Sequence, residues 1–210
     1  MTVITISRQF GSHGDTVAQL LCDRLGYRYF DKALMLGLAA AVGMAPETVA
    51  DLSDEKYRAR SVVERLFSHY PAPMADPNVW AAEAEASALE RAHAAQVKQL
   101  IRATYEQGNV VIVGRGGQVV LRDLPDVLHV RLRAPLEIRV QRHAERAGLT
   151  IPAAREAVLA RDRASADFVR RYYDADVADP MLYDLIINTG KLTPSAAADL
   201  IISALARLSK

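Results

Sequence analysis

Apolar and polar positions along this chain follow two periods in turn, and each change of period marks an element. Val3 to Ile6 is a short, largely β-branched run that predicts a buried strand. From Asp15 to Leu25 the apolar positions recur at helical spacing, and Gly26 supplies a stop. Tyr27 to Asp31 reads as a second short strand ending on a carboxylate. Residues 32–69 read as helical segments punctuated by Gly43 and Pro46, and the prolines in "HYPAPMADPN" (69–78) mark a connection. A long helix follows over 79–107, rich in alanine and glutamate in its first half, with Val97, Leu100, Ile101 and Tyr105 on one face and Gly108 at its end.

The period then shortens again. Val110 to Val113 is an unbroken β-branched run, as expected of a central parallel strand covered on both faces. It runs into Gly114-Arg115-Gly116-Gly117, a loop that passes close to something. Val127 to Leu132 is another strand, Pro135 to Ala147 an arginine-dense helix, and Tyr183 to Thr189 a last strand. Thr193 and Pro194 supply the N-cap and first residue of a terminal helix, Ser195 to Leu208. Strands separated by helices give an α/β fold: a doubly wound sheet of about five parallel strands with helices on both faces. Ligands of such sheets bind beyond the carboxyl ends of the strands. Arg8 to Gly14, Asp31, Lys32, Gly114, Arg115 and Arg133 all fall there.

With 210 residues, half of them apolar, the chain builds one good core, so residues 1–210 are expected to form a single domain. A net charge of +1 gives the whole molecule no bias towards nucleic acid or membrane, and anion recognition has to come from local clusters. No apolar run approaches the roughly 20 residues that cross a bilayer. The lone cysteine, Cys22, falls on an apolar helix position and reads as a small buried hydrophobe. Without a disulfide framework or a signal-peptide pattern, a soluble cytoplasmic protein is expected. Oligomeric state is left open.

The chemistry concentrates in "ITISRQFGSHGDTVAQLLCDRLG", residues 4–26. Gly11 and Gly14, with small Ser12 between strand and helix, allow the backbone to fold around an anion at a helix N-terminus. The full phosphate-loop pattern G-x-x-x-x-G-K-[ST] is not met: Arg8 stands at the first glycine, His13 at the second and Gly14 at the lysine. Arginines crowd residues 131–171, and Arg139, Arg142 and Arg146, three and four apart, share a helical face. Their planar, permanent charge suits phosphoryl oxygens and would stabilise a transferring phosphoryl group. The alternative is a solvated face paired with Glu137, Glu145 and Glu156. His13 is either a phosphate donor or loop filling. His69, His93, His129 and His143 show no metal-ligand spacing, and no protein metal site is expected from them. Asp31 orients a substrate, helps hold magnesium or caps a helix, and Trp80 reads as a packing residue.

Several segments in order, "ITISRQFGSHGDTVAQLLCDRLGYRYFDKALM", "VIVGRGGQVVL", "RAPLEIRVQRHAER", "RDRASADFVRRYY" and "DPMLYDLIINTGKL", resemble the cytidylate kinase-like family, a branch of the P-loop nucleoside monophosphate kinases. The resemblance implies a P-loop kinase fold with a helical acceptor-binding insertion over 32–107 and a short arginine-rich lid over about 135–176. It implies ATP with Mg2+ as phosphoryl donor and a nucleoside monophosphate, nominally CMP or dCMP, as acceptor. Matched residue by residue, Gly11, Ser12, His13, Gly14, Asp15 and Thr16 take the ATP phosphates, and Asp31, Lys32, Gly114 and Arg115 the acceptor. Arg142, Arg146, Arg161 and Arg163 fall in the lid. The chain departs from the family pattern at Gly14, which stands for the loop lysine, at Gly116, which stands for an aspartate, and after Asp31, where a serine and an arginine are missing. Arg8 or a lid arginine is expected to replace the absent charge. A silent nucleotide-binding or regulatory protein, and a kinase for another small metabolite, are the other two expectations.

Overall fold

The computed structural model describes residues 1–30 and 95–208. The chain divides into two compact units, one of Met1–Asp31 with Ile101–Lys210 and one of Lys32–Leu100. Of the second, only residues 95–100 are described, as helix. The expectations for 32–69, the proline-rich connection, Trp80, and the site residues Asp31 and Lys32 lie outside the described residues.

The first unit is built on β1 (Val3–Arg8), α1 (Gly14–Leu25), β2 (Arg28–Tyr29), residues 101–107 of α2 (described over 95–107), β3 (Val110–Val113), the short α3 (Gly117–Val120), β4 (Val127–Arg133), α4 (Leu136–Ala147), α5 (Ile151–Tyr173), β5 (Leu185–Asn188) and α6 (Pro194–Leu205). The five strands form one parallel sheet in the order β2-β3-β1-β4-β5. β1 is central: Ile6 lies beside Val113 on one side and Val130 on the other, and Ser7 lies beside Arg131.

Strand alternation divides the chemistry between the two faces. Ile4, Ile6, Val111, Val113, Leu128, Val130, Leu132 and Ile187 point to one side and pack with Val17, Leu21 and Cys22 of α1 and Ala197, Ala198 and Ile201 of α6. Each such large side chain contributes about 1.5–3 kcal/mol on burial. Cys22 is part of this core as expected, and burial, with Asp23 nearby, pushes its thiol up to about 11. The opposite side of β1 and β4 is polar: Thr5, Ser7, His129 and Arg131 are all buried, with Thr5 Oγ1 2.7 Å from His129 Nδ1. A second cluster joins Val140 and Ala144 of α4 to Ala154 and Val158 of α5, with Phe10 and Leu136 against it.

Several elements differ from the sequence pattern: β2 is only Arg28–Tyr29 of the expected 27–31, and α6 ends at Leu205 rather than Leu208. The last strand begins at Leu185 rather than Tyr183, because Pro180–Leu182 forms a 3-10 turn whose Asp179 carboxylate accepts from Met181 N. The Asp184 carboxylate then accepts from His129 N at 2.7 Å. The 23-residue α5 carries only Ala154, Val158 and Val169 as buried positions, too sparse a stripe to stand out among its charges. Among the described residues no helix is long and apolar enough to cross a membrane.

Candidate active site

β1 ends at Arg8, and the chain turns through residues 9–13 into α1. The turn is closed locally: Ser12 N and Ser12 Oγ both donate to the Gln9 carbonyl, at 3.2 and 2.7 Å. Ser12 is fully buried. Gly11 and His13 both take left-handed backbone angles, φ 81° and 60°, and His13 begins α1 without a side-chain cap. The first helical bond is Val17 N to His13 O at 3.0 Å. The backbone N–H groups of Gly11, His13, Gly14, Asp15 and Thr16 have no acceptor among the described residues. Unpartnered N–H groups in such turns and at a helix start make an anion seat, reinforced by the helix dipole.

While those N–H groups stay unpartnered, other atoms of the loop are tied down. Arg139 of α4, 4% exposed, donates from Nε to Ala134 O at 2.9 Å and from Nη1 to Phe10 O at 3.1 Å and Asp162 Oδ2 at 2.6 Å. The other Asp162 oxygen accepts from Phe10 N at 2.9 Å. Arg142 donates to Gly11 O at 3.3 Å and to Thr189 O at 2.8 Å, and Thr189 Oγ1 donates to Ser12 O at 2.9 Å. Arg139, Asp162 and Thr189 are the loop's scaffold, and sequence reasoning gave none of them that role. The sequence offers a threonine directly after the last strand and arginines sharing one helix face, which do not tell Arg139 from Arg142.

The Arg8 side chain lies beside Gly14, the position the pattern gives to lysine. A Cβ on Gly14 would lie 2.5 Å from Arg8 Cγ and 2.8 Å from its Cβ, and a Cβ on Gly114 would lie 2.6 Å from Arg8 Nη1. The side chain therefore runs across the start of α1 and ends against Gly114 at the carboxyl end of β3, and glycine at 14 and 114 leaves it room. Its Nε lies 3.7 Å from Asp15 Oδ1, an exposed pair of little energetic weight.

The remaining arginines part company. Burial, then the charges of Arg142 and Arg146, holds the His13 imidazole below its ordinary pKa. Arg161 Cζ lies 4.5 Å from the Phe10 ring centroid and Arg146 Cζ 5.8 Å, so both reach the loop's flank. Arg163, two residues beyond Arg161 and so about 200° around α5, is exposed, with no hydrogen bond, ion pair or ring contact among the described residues. Arg155 is spent on an exposed ion pair with Glu137. Arg115 sits at φ 57°, its carbonyl accepting from Tyr173 Oη at 2.8 Å, while the Tyr173 ring packs on Gly116.

A parallel five-stranded sheet with an N–H-lined loop between its central strand and the following helix is the arrangement of the P-loop kinase fold. A gluconokinase from Sinorhizobium meliloti shares the fold, with a TM-score of 0.52 at 12% identity over 99% of this chain and 93% of that one. A protein of Eubacterium ventriosum, described as uncharacterized, superposes with a TM-score of 0.68 at 20% identity, covering 98% of this chain and 99% of that one. The particular family follows from sequence: residues 3–191 match the model of the cytidylate kinase-like family, and the chain belongs to it. The cytidylate kinase of Ignicoccus hospitalis is 28% identical over 96% of this chain and 97% of its own length. That of Methanocella arvoryzae is 26% identical over 99% of both. A 33% match to the cytidylate kinase of Sulfolobus acidocaldarius covers 52% of this chain and 59% of that protein.

Proposed function

We propose that this protein is an ATP-dependent phosphotransferase that moves the γ-phosphoryl group to a nucleoside monophosphate, with CMP and dCMP the nominal acceptors. One observation carries the reading: in the loop and first turn of α1, the N–H groups of Gly11 and of His13 to Thr16 have no acceptor among the described residues, with the Arg8 side chain beside Gly14. Family membership and the family's named relatives support the reaction class.

In this reading the N–H groups of Gly11 and of His13 to Thr16 hold the donor phosphates. Arg8 supplies the permanent charge that a loop lysine otherwise brings. Arg142, Arg146 and Arg161 take the charge that spreads over the equatorial oxygens, and Gly114 and Arg115, with Asp31 and Lys32, serve the acceptor. Insertion 32–107 and lid 135–176 then belong to one kinase domain working in the cytoplasm. An acceptor oxygen forms a bond to the γ-phosphorus as the bond to the ADP oxygen breaks, with no covalent enzyme intermediate. His13, held neutral at pH 7 by burial and its two arginine neighbours, offers one N–H to the phosphates without adding a charge.

Among the described residues no group of three or more His, Cys, Asp or Glu side chains is built for a metal. Mg2+ fits nevertheless, because it is commonly held by one or two carboxylates together with substrate phosphates. Asp15, at the pattern's hydroxyl position and 73% exposed, is the carboxylate that would hold it. When bound with the nucleotide it neutralises charge between the donor oxygens.

The test is ADP formation from Mg-ATP by the purified protein, with CMP, dCMP, UMP, AMP and no acceptor side by side, and Gly11→Asp as the loop-dead control. Acceptor-dependent ADP, strongest with CMP or dCMP and absent from the control, is expected. Measurable ATP binding without turnover on any acceptor would overturn the kinase reading in favour of a silent nucleotide-binding protein.

A further inference from the structure

The polar side of β1 and β4 holds a charge that nothing in the loop uses. Arg131 pairs in register with Ser7 and is 9% exposed. Its Nη1 donates to Ser7 Oγ at 2.7 Å and to the Tyr183 hydroxyl at 3.3 Å, and its guanidinium carbon lies 5.4 Å from the Tyr183 ring centroid. The Tyr183 hydroxyl donates to Val177 O at 2.9 Å and lies 3.2 Å from Ser7 Oγ. Among the described residues no carboxylate pairs with Arg131: its polar partners there are two neutral hydroxyls, and its Nε and Nη2 donors have no acceptor. A guanidinium cannot shed its proton to ease burial, and a buried cation without a counter-ion is costly. The place is the carboxyl end of the two central strands: Ser7 is the residue before Arg8, and Ile6 O accepts from Gly114 N at 2.9 Å.

We propose that Arg131, with the hydroxyls of Ser7 and Tyr183, is an anion receptor that takes the phosphoryl group the acceptor already carries. This rests on the kinase reading for its ligand and goes beyond it in assigning a second phosphate site, across the sheet edge from the loop. The unspent donors match two oxygens of a phosphate monoester in the forked geometry that guanidinium favours. A neutral polyol would leave the charge unanswered, so the receptor selects phosphorylated acceptors.

The variants are Arg131→Met, which keeps the length of the side chain and removes its charge, and Arg131→Lys. With CMP or whichever acceptor is turned over, Arg131→Met is expected to raise the acceptor KM about tenfold or more, the weight of a lost charge-assisted hydrogen bond, with the KM for ATP within about twofold; Arg131→Lys recovers part of it. Thermal stability without ligand should stay level or rise, since an uncompensated buried charge is removed. The second arm needs no turnover: in the Gly11→Asp background, stabilisation by inorganic phosphate should persist while Arg131 is intact and vanish once Arg131→Met is added. Phosphate stabilisation that disappears with Gly11→Asp alone, or an acceptor KM unmoved by Arg131→Met, overturns the receptor while leaving the kinase standing. No turnover anywhere, with Arg131-dependent phosphate binding retained, overturns the kinase reading and keeps the anion site.

Discussion

Restoring the lysine is the sharpest perturbation of the loop, because it tests whether Arg8 occupies the lysine's place. Gly14→Lys alone puts a Cβ 2.5 Å from Arg8 Cγ and 2.8 Å from Arg8 Cβ, well inside contact distance, and these are atoms near the backbone that cannot swing clear. Overpacking of this kind costs about 1–3 kcal/mol, and it displaces the guanidinium from Gly114 as well. Arg8→Gly alone clears the space but removes the cation that runs across the start of α1. A charge-assisted bond to phosphate is worth about 1.5–3 kcal/mol, so kcat/KM for ATP should fall at least about tenfold. Together, Arg8→Gly and Gly14→Lys restore the first glycine and the lysine of the common pattern, leaving His13 at the second glycine and Asp15 at the hydroxyl position. The double variant should recover both the melting temperature lost in Gly14→Lys and most of the turnover lost in Arg8→Gly. The coupling energy is therefore expected at about 1–3 kcal/mol in favour of the pair. The assay is ADP formation at saturating acceptor with ATP varied, alongside thermal unfolding without ligand. Additive losses, or a Gly14→Lys protein of full stability and activity, would refute the claim that the two side chains compete for one space.

Other consequences follow from the loop's scaffold and from the buried histidine. Asp162→Ala leaves the Arg139 guanidinium buried without its carboxylate and Phe10 N without its acceptor, so denaturant unfolding should report a loss of about 3 kcal/mol, with ATP affinity falling too. Arg142→Ala should raise the KM for ATP several-fold, whereas Arg163→Ala, on the far side of α5, should leave it within about twofold; equal effects would show that the lid presents a different face during turnover. Burial holds His129 below its ordinary pKa despite the opposing charge of Asp184, so the unfolded chain binds the proton more readily than the folded one. Stability from this group is full above about pH 6.5 and is lost as pH falls through the unfolded pKa towards the folded one. His129→Gln should flatten the dependence of unfolding free energy on pH between 7 and 5, where each such histidine contributes at most about 1.4 kcal/mol per pH unit. His13 and His143 are shifted in the same direction and add to the slope.

Most of the frame was legible because it rests on runs of one kind. Val110 to Val113 are all buried, and Gly26 closes α1 with a left-handed cap, as the sequence pattern requires. The phosphate loop was legible as glycines between strand and helix. What was not legible is how arginines divide their work. Arg139 and Arg142 lie three apart on one helix face, yet one is sunk under the loop with Asp162 and the other bonds Gly11 O and Thr189 O. That difference depends on what α5 and the end of β5 bring against the face, and periodicity within α4 carries no trace of it. The Ser7–Arg131 pair left a mark that went unread: polar residues at 5 and 7 in β1 and at 129 and 131 in β4 alternate with apolar ones. Alternation in strands buried on both sides signals a polar interior rather than a solvent face.

In the proposed kinase, a loop charge that comes from the strand rather than the helix changes more than its origin. A lysine on the first turn of α1 would move with the helix and extend into the anion seat on a flexible stem. Arg8 instead leaves from the central strand, is flanked by glycine at 14 and 114, and spans from the donor loop to the Gly114-Arg115 loop. One rigid fork thus links the two places where phosphates are expected to lie, and guanidinium, with several donors, suits that bridging position better than a single ammonium does. Asp15 bears on the same charge balance: a carboxylate at the helix start opposes bound phosphate unless a cation offsets it, and its weak pair with Arg8 at 3.7 Å leaves it available to the Mg2+ of the proposed reaction. Loop, glycines and carboxylate are therefore one coupled substitution, and replacing any one member alone is expected to hurt more than replacing the set.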